Sequence, residues 1–472
     1  MNDIPTPTAG TWPRHLVRAG MHRPKLDAEP KPDDHRDHIE PWLTALFQAE
    51  HLGLLVGSGL TAAVARAADA PAIDMSRAQF PADYAEAAEA SARASAEFLG
   101  RGEPNVEDQI RAALELMSGL RVLASGVDAG SGGHMAADAA ALLPAWETAV
   151  DDVLSSFVSR VLVTEQGIDA VLRNAEDADP GDRVRRLLGG FLLPFASRTA
   201  TRERLHIFTT NYDRLIEYAC DLLGLRVIDR FVGELAPVFR SSRLGVDIHY
   251  NPPGIRGEPR YLEGVVRVTK LHGSIDWRRE QGASGEAEVQ RRPLPFGAAR
   301  DHPEVPERSR DHLLIYPNPA KDVETLQYPY AELFRDFAAA ACQPNAVVVT
   351  YGYGFGDSHV NRVLRDMLSV PSTHLAIISY DGAGDRIRRF CEHVAREEQV
   401  TLLIGPHFGD LATLIEHYLP KPAIDRTTWR MMDVLNRRSR PYEDGAGAAP
   451  SVGPEPAEPP RRPEGSAETT KP

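Results

Sequence analysis

Two stretches place polar, ionisable side chains where an apolar run stops, a pattern suited to chemistry on a sugar. In RLHIFTTNYDRLIEYA, Arg204 to Ala219, the run Leu205 to Phe208 reads as a buried strand. It gives way to Thr209, Thr210, Asn211, Tyr212 and Asp213 before an amphipathic helix near Arg214. An amide and a carboxylate at a strand's carboxyl end can hold hydroxyls and an attacking water, because that edge of an open α/β sheet is where ligands bind. Asn211 or Asp213 can equally cap the following helix. In VVRVTKLHGSIDW, Val265 to Trp277, a second strand ends in Lys270, Leu271, His272, Gly273 and Ser274. The His272 imidazole is placed for proton transfer near neutral pH, or is a satisfied structural group.

Two further stretches are glycine turns. The run Leu52 to Val56 leads into Gly57, Ser58 and Gly59 and then a helix from about Leu60 to Ala68. Glycines there let a diphosphate approach the backbone, and the helix N-terminus offers unpaired amides; such turns also occur without a ligand. In VVVTYGYGFGDSHVNRVLRDML, Val347 to Leu368, a strand feeds Gly352, Gly354 and Gly356, and Asp357 and His359 precede a helix near Val360. That loop can wrap a ribose or phosphate with Asp357 as an N-cap facing the cleft, or can be a capped helix after a turn. Ser379, Tyr380 and Asp381 end another strand, where Asp381 can bind an adenosine ribose or serve turn chemistry.

The elements that must hold these residues follow from the apolar runs. Leu52–Val56, Leu205–Phe208, Val265–Leu271, Leu313–Tyr316, Ala346–Tyr351, Leu375–Ser379 and Thr401–Ile404 read as strands buried on both faces, mostly separated by helical patterns. This alternation predicts an α/β fold, a mostly parallel sheet with helices on both faces. Residues 61–197 carry Ala, Leu, Glu and Arg at helical spacing, broken at Gly126 to Gly133, and predict a helical insertion beside the sheet. Residues 278–310 read as an exposed polar loop insertion. Residues 1–37 read as a flexible arm and 437–472 as a disordered Pro-rich tail, since neither buries enough apolar surface to order itself.

Bulk composition narrows the classes. A chain of 472 residues with 42% hydrophobic and 25% charged content is ordinary for a globular protein. A formal charge of -14 argues against a surface that coats nucleic acid, so no direct nucleic-acid partner is expected. Cys220, Cys342 and Cys391 build neither a disulfide framework nor a four-thiolate zinc site, and no metal site is expected. With no apolar signal core and no apolar stretch of membrane-spanning length, the expected location is cytoplasmic, with no membrane partner.

In order and spacing, Gly57–Ser58–Gly59, Thr209–Thr210–Asn211–Tyr212–Asp213, Lys270–Leu271–His272–Gly273–Ser274 and Tyr351 to His359 resemble the sirtuin-like family, in its bacterial anti-phage branch. The resemblance extends from about Pro41 to Leu419 and implies a Rossmann-like NAD-binding catalytic domain over residues 38–425. It implies Asn211 and His272 as the catalytic pair. The NAD-binding set then comprises Gly57, Ser58, Gly59, Thr61, Thr210, Asp213, Gly352, Gly354, Asp357, His359 and Asp381. The segment Asn105 to Leu114, NVEDQIRAAL, also looks like a motif of this branch and reads equally as an Asn-capped helix start.

The departures shape the expectation. Deacylating sirtuins carry a zinc module of two cysteine pairs, absent here, and their Gly-Ala-Gly-Ile-Ser turn is Gly-Ser-Gly-Leu-Thr, with Thr61 in the serine's place. The resemblance therefore implies cleavage of NAD, as substrate, to nicotinamide and ADP-ribose, with no zinc. Asn211 would position the water or a ribose hydroxyl and His272 would act as base. An unrestrained NAD hydrolase would poison its own cell, so gating is expected, through a homo-oligomer or a HerA-type ATPase partner, the segment Pro41 to Gly59 resembling the HerA-associated subgroup. The alternatives are a non-cleaving NAD or ADP-ribose sensor, and a protein deacylase or ADP-ribosyltransferase.

Overall fold

Val, Leu and Ile fill four runs, His51–Val56, Ala346–Tyr351, His374–Ser379 and Val400–Ile404, and each is a strand with nearly every residue buried. The computed structural model describes residues 13–26, 29–73, 78–81, 83–98, 102–128, 133–174, 178–198, 201–243, 246–250, 260–282, 287–305, 312–314 and 328–421.

The first half of the chain runs β1 (Leu16–Arg18), α1 (Pro32–Phe47), β2 (His51–Val56), α2 (Ser58–Ala67), α3 (Ala85–Phe98), α4 (Val106–Asp128), α5 (Gly133–Arg173), α6 (Ala178–Ala196), β3 (His206–Thr209), α7 (Leu215–Leu222) and β4 (Arg226–Ile228). Then come β5 (Phe231–Val232), β6 (Val238–Phe239), β7 (His249–Tyr250), β8 (Arg260–Tyr261), β9 (Val265–Lys270), β10 (Gly273–Gln281), β11 (Ala287–Arg291) and β12 (His312–Leu314). The last part holds α8 (Tyr330–Ala341), β13 (Ala346–Tyr351), α9 (Ser358–Met367), β14 (His374–Ser379), α10 (Arg386–Glu392) and β15 (Val400–Ile404), followed by short helical turns to Tyr418.

The main sheet has the order β1-β15-β14-β13-β2-β3-β9-β4. Its neighbours are parallel except for the edge strand β1, which runs against β15. Alternation along each strand explains the layers. Leu52, Leu54 and Val56 face one core with α1, α2, α6 and α7, while Leu55 faces the other with α8, α9 and α10. The fold is thus a mixed α/β, Rossmann-like sheet covered on both faces. A smaller five-stranded sheet has the order β12-β10-β11-β6-β5.

Several expectations change extent. Two parts of the segment expected as a flexible arm, 1–37, are built into the fold as β1 and the start of α1; residues 1–12 and the tail 437–472 lie outside the described residues. Part of the expected polar loop 278–310 is a hairpin, with Trp277 opposite Arg291 and Gln281 opposite Ala287. The run expected as a buried strand at Leu313–Tyr316 contributes β12 to the small sheet rather than to the parallel one; residues 315–316 lie outside the described residues. Helices α2 to α6 lie between β2 and β3, and α3, α4 and α5 share a core around Trp146, Phe157 and Ile110. Among the described residues, no helix is long and apolar enough to cross a membrane.

Strand register positions the loops. Val56 is level with Tyr351 on one side and Thr209 on the other, and Thr209 is level with Lys270. Four adjacent strands therefore end at one height, and the loops after them emerge side by side. The order in which strands are added reverses between the parallel neighbours β2 and β13: β3 follows on one side of β2, whereas β13, β14 and β15 build outward on the other. That is the switch point at which open α/β sheets bind ligands.

His374, at the start of β14, accepts or donates a 2.8 Å hydrogen bond with Thr401 Oγ1, and the Trp42 ring meets it edge-on. Burial, aided by Arg18, pulls its pKa down to about 4. The folded value lies below the unfolded one, so the unfolded chain takes up a proton that the folded chain refuses. This contribution is full above pH 6.5 or so and is lost as pH falls toward about 4. Between pH 7 and pH 5 it should remove about 2 kcal/mol. Urea unfolding of wild type and His374→Gln at both pH values checks this, the variant showing the shallower loss.

Candidate active site

The contact that builds the site is backbone on backbone. Gly57 N–H donates to Tyr351 O at 3.0 Å and Gly59 N–H donates to Gly352 O at 3.1 Å, joining the turn after β2 to the turn after β13. A Cβ at Gly57 would stand 2.4 Å from Gly352 O, and one at Gly59 would stand 2.5 Å from Gly352 Cα. Gly352 itself has φ +60, the left-handed region that favours glycine. These glycines thus serve close approach of two chain segments. The amides of Gly57 and Gly59, expected from sequence to meet a phosphate, are already bonded to carbonyls.

Beside this contact lies a cleft of about 360 Å³, within the range of about 300–1,000 Å³ common for ligand sites. It brings together Gly57, Ser58, Gly59, Thr61, Thr210, Asn211, Asp213, His272, Gly354 and Asp357, which come from four separate segments of the chain.

Asn211 is oriented by a chain of hydrogen bonds whose polarity the chemistry dictates. Thr61 Oγ1 donates its single proton to Asp213 Oδ2 at 2.8 Å, because a carboxylate can only accept. The same hydroxyl must therefore accept, and Asn211 Nδ2 donates to it at 3.1 Å and to Gly57 O at 3.0 Å. With both amide protons engaged in this way, Asn211 is left to act through its Oδ1 as an acceptor. Asp213 Oδ1 also takes the amide of Leu215, the first residue of α7, at 3.1 Å, although the N-cap position itself is Arg214 and has no side-chain cap. Lys270 reaches back from the end of β9 to donate to Asp213 O, and pairs with Glu217 at 3.1 Å.

His272 and Asp357 form the second unit. His272 Nε2 lies 2.6 Å from Asp357 Oδ2, and both side chains are buried. Asp357 Oδ1 accepts the His359 amide at 2.9 Å and the Val360 amide at 3.3 Å as the N-cap of α9. A residue read in sequence as a cap is therefore also the carboxylate that holds the imidazole. Since that carboxylate accepts, the neutral ring carries its proton on Nε2 and its basic nitrogen is Nδ1. The Tyr212 ring lies tilted 6.2 Å from His272 and meets Phe157 of α5 edge-on at 5.4 Å.

The helical insertion supplies a wall of the cleft with Asn105, Glu107 and Phe157. Asn105 Oδ1 accepts the Asp108 amide at 3.1 Å and Asp108 Oδ2 accepts the Asn105 amide at 3.2 Å, a reciprocal cap on α4. The insertion is pinned to the loop after β3 by a buried ion pair, in which Arg214 donates its backbone amide to Glu165 Oε1 at 2.8 Å and its guanidinium to both carboxylate oxygens. The same guanidinium also donates to Pro295 O at 2.9 Å.

Three expected residues stand apart from the cleft lining. Gly352 lies directly behind it, His359 is buried with its ring 6.0 Å from Phe334 of α8, and Asp381 is exposed, its Oδ1 taken by the Ala383 amide at 2.8 Å. Sequence reasoning missed Phe157 and Arg386 as lining residues; Glu107 and Tyr353, which also line it, lie within the motif segments Asn105 to Leu114 and Tyr351 to His359 without having been singled out. Arg386 had a readable signal, a Gly-rich turn after β14, but Asp381 in that turn drew the reading instead. Phe157 had none, since its spacing is that of a core helix. Among the described residues, no cluster of three or more His, Cys, Asp or Glu could hold a metal ion.

Residues 205–401 match the SIR2-like domain family, which supports a sirtuin-like family and an NAD-related function. The matched span holds the loops of Asn211, His272 and Asp357, whereas Gly57 to Thr61 and the helices α3 to α6 precede it. Comparison with curated proteins returns no match.

Thr61 joins both halves of the Asn211 network, so Thr61→Val leaves the Asp213 carboxylate and the Asn211 amide each short of a partner. The expected cost is about 2 kcal/mol or more in urea unfolding, with Thr61→Ser within about 1 kcal/mol of wild type because the hydroxyl remains.

Proposed function

We propose that this protein is an NAD glycohydrolase that cleaves NAD to nicotinamide and ADP-ribose. The observation that carries the reading is that Asn211 and His272, 61 positions apart in the chain, line one cleft at the switch point of a sheet whose later part matches a SIR2-like domain. NAD's nicotinamide is bonded to ribose through a positively charged nitrogen and leaves as a neutral pyridine, while the sugar passes through an oxocarbenium-like state. The enzyme must position one nucleophile at that carbon and take up its proton.

Asn211 is the positioning group. Its amide protons are bound inside the protein, which aims its Oδ1 as an acceptor for the attacking water or a ribose hydroxyl. His272 is the base, acting through Nδ1 directly or by way of a ribose hydroxyl, while Asp357 fixes its tautomer and direction. Tyr212 and Phe157 wall the nicotinamide end and limit entry of stray water. Asp213 holds Thr61 and thereby Asn211, a supporting role in the nicotinamide-ribose pocket.

In the cell we place this activity as the effector of a cytoplasmic anti-phage system, depleting NAD in an abortive infection. Gating by homo-oligomerisation or by a HerA-type ATPase keeps it silent until triggered. This part of the reading rests on the family resemblance of the four loops.

The test is to incubate purified protein, alone and with the candidate ATPase, with NAD and to follow nicotinamide by chromatography. Asn211→Ala and His272→Ala should each lower the rate by about a hundredfold or more, and Asp357→Asn should lower kcat while the fold is kept. Unchanged turnover in both alanine variants rejects the assignment, and NAD binding with no nicotinamide released under either condition makes the protein a sensor.

A further inference from the structure

Among the described residues, the cleft walls are acidic or neutral except at one point. Glu107, Asp213 and Asp357 contribute carboxylates, and among the described residues lining the cleft Arg386 is the single cationic side chain. An NAD molecule carries two negative phosphates, and the glycine turn that would be expected to cradle them has the Gly57 and Gly59 amides bonded to Tyr351 and Gly352 carbonyls. A dinucleotide seated here meets a shortage of positive partners that Arg386 is built to relieve.

Its placement is specific. Arg386 opens α10, and the residues before it, Ala383, Gly384 and Asp385, have φ values of 52, 60 and 68. Left-handed backbone at Ala383 and Asp385 is uncommon and costly for residues with a Cβ, and such strain persists where the surroundings hold it. Here Asp381 takes the Ala383 amide at one end, and at the other Arg388 bonds the Asp385 carboxylate, Nε to Oδ1 at 2.8 Å. The turn sends the Arg386 side chain back over the loop after β13, where Nε donates to Gly354 O at 2.5 Å. An added Cβ at Gly354 would lie 3.4 Å from Nη2 and one at Gly384 would lie 3.6 Å from Nη1, ordinary contact distances that place the guanidinium beside both turns.

Location within the sheet says which end of the ligand this is. Asn211 and His272 belong to loops after β3 and β9, on one side of β2, whereas Arg386 follows β14 on the other side. The ligand that puts its reacting ribose at Asn211 thus extends its far half toward Arg386.

Resting on the dinucleotide reading of the cleft, we propose that Arg386 reads a phosphate on the adenosine half of the ligand. A planar guanidinium offers paired donors that match phosphate oxygens, a geometry that lysine does not reproduce. The phosphate is either that of the diphosphate bridge, common to NAD and NADP, or the 2′-phosphate that only NADP carries. Asp381, the acid that would favour a bare ribose hydroxyl, is exposed and occupied with its own turn.

Calorimetric titration of the full chain with NAD, NADP and adenosine separates these cases. In Arg386→Gln, a loss of about tenfold or more for both NAD and NADP, with adenosine unchanged, supports contact with the diphosphate. A similar loss for NADP alone supports contact with the 2′-phosphate. Equal weakening of adenosine, or unchanged affinity for both dinucleotides, overturns the inference while leaving the reading of the cleft intact. Failure of the wild-type protein to bind either dinucleotide overturns both. Should Arg386→Gln not melt cooperatively, Arg386→Lys replaces it: a smaller loss for a phosphate-bearing ligand, with adenosine unchanged, supports the proposal, and parity with wild type on all three ligands overturns it.

Discussion

The site depends on one contact, the packing of the turn after β2 against the turn after β13 with no side chain between them. Gly57, Gly59 and Gly352 allow backbone atoms to meet at distances that any Cβ would forbid. Two hydrogen bonds across the junction tie the loops at the point where the sheet reverses its build direction. The Asn211 network borrows from this junction, since Gly57 O takes one of the amide protons. Asp357, at the end of the loop that starts at Gly352, carries the other half of the site by holding His272. A glycine turn usually assigned to phosphate contact here acts first as a structural joint.

Around that joint, each site side chain is held by a group that does two jobs. Asp357 caps a helix and orients an imidazole; Asp213 takes the first amide of another and anchors the hydroxyl that turns Asn211. Buried polar groups left without partners are costly, so such sharing lets a small volume hold several of them. The helical insertion joins the same scheme through Arg214 and Glu165. Burial pushes the Glu165 carboxyl upward against the opposing pull of Arg214, and removing either partner would strand a buried charge. The insertion is thereby a wall of the cleft as well as a separate helical core.

Much of the fold was legible because buried parallel strands announce themselves as unbroken apolar runs. The strand Ala346–Tyr351 was readable to the residue, and His51–Val56 and His374–Ser379 to within one position. The edge strand β1 was not, since three residues beside a Pro-rich segment carry no period, and its partner β15 lies hundreds of positions away. The hairpin of β10 and β11 was hidden by its polarity, because antiparallel strands with a solvated face tolerate Arg and Glu. Among cleft-lining residues, Asn211, Asp213 and His272 were legible at strand ends, whereas Asp381, read the same way, lies outside the lining. Phe157 and Arg386 were not legible, because the first sits at ordinary core spacing on a long helix and the second follows a turn whose glycine and acid suffice to shape a loop.

By itself the sequence determined the residue types at the strand ends, the glycines that permit a tight joint, and a cysteine supply too small and scattered for a four-thiolate zinc module, since these are properties of local composition and spacing. Only the tertiary structure decided that Asn211 faces Thr61, that Asp357 holds His272 rather than merely capping a helix, and that Arg386 instead of Asp381 reaches the cleft. Those outcomes hang on strand order and register, which bring together groups far apart along the chain, and no local pattern encodes which distant loops will end side by side.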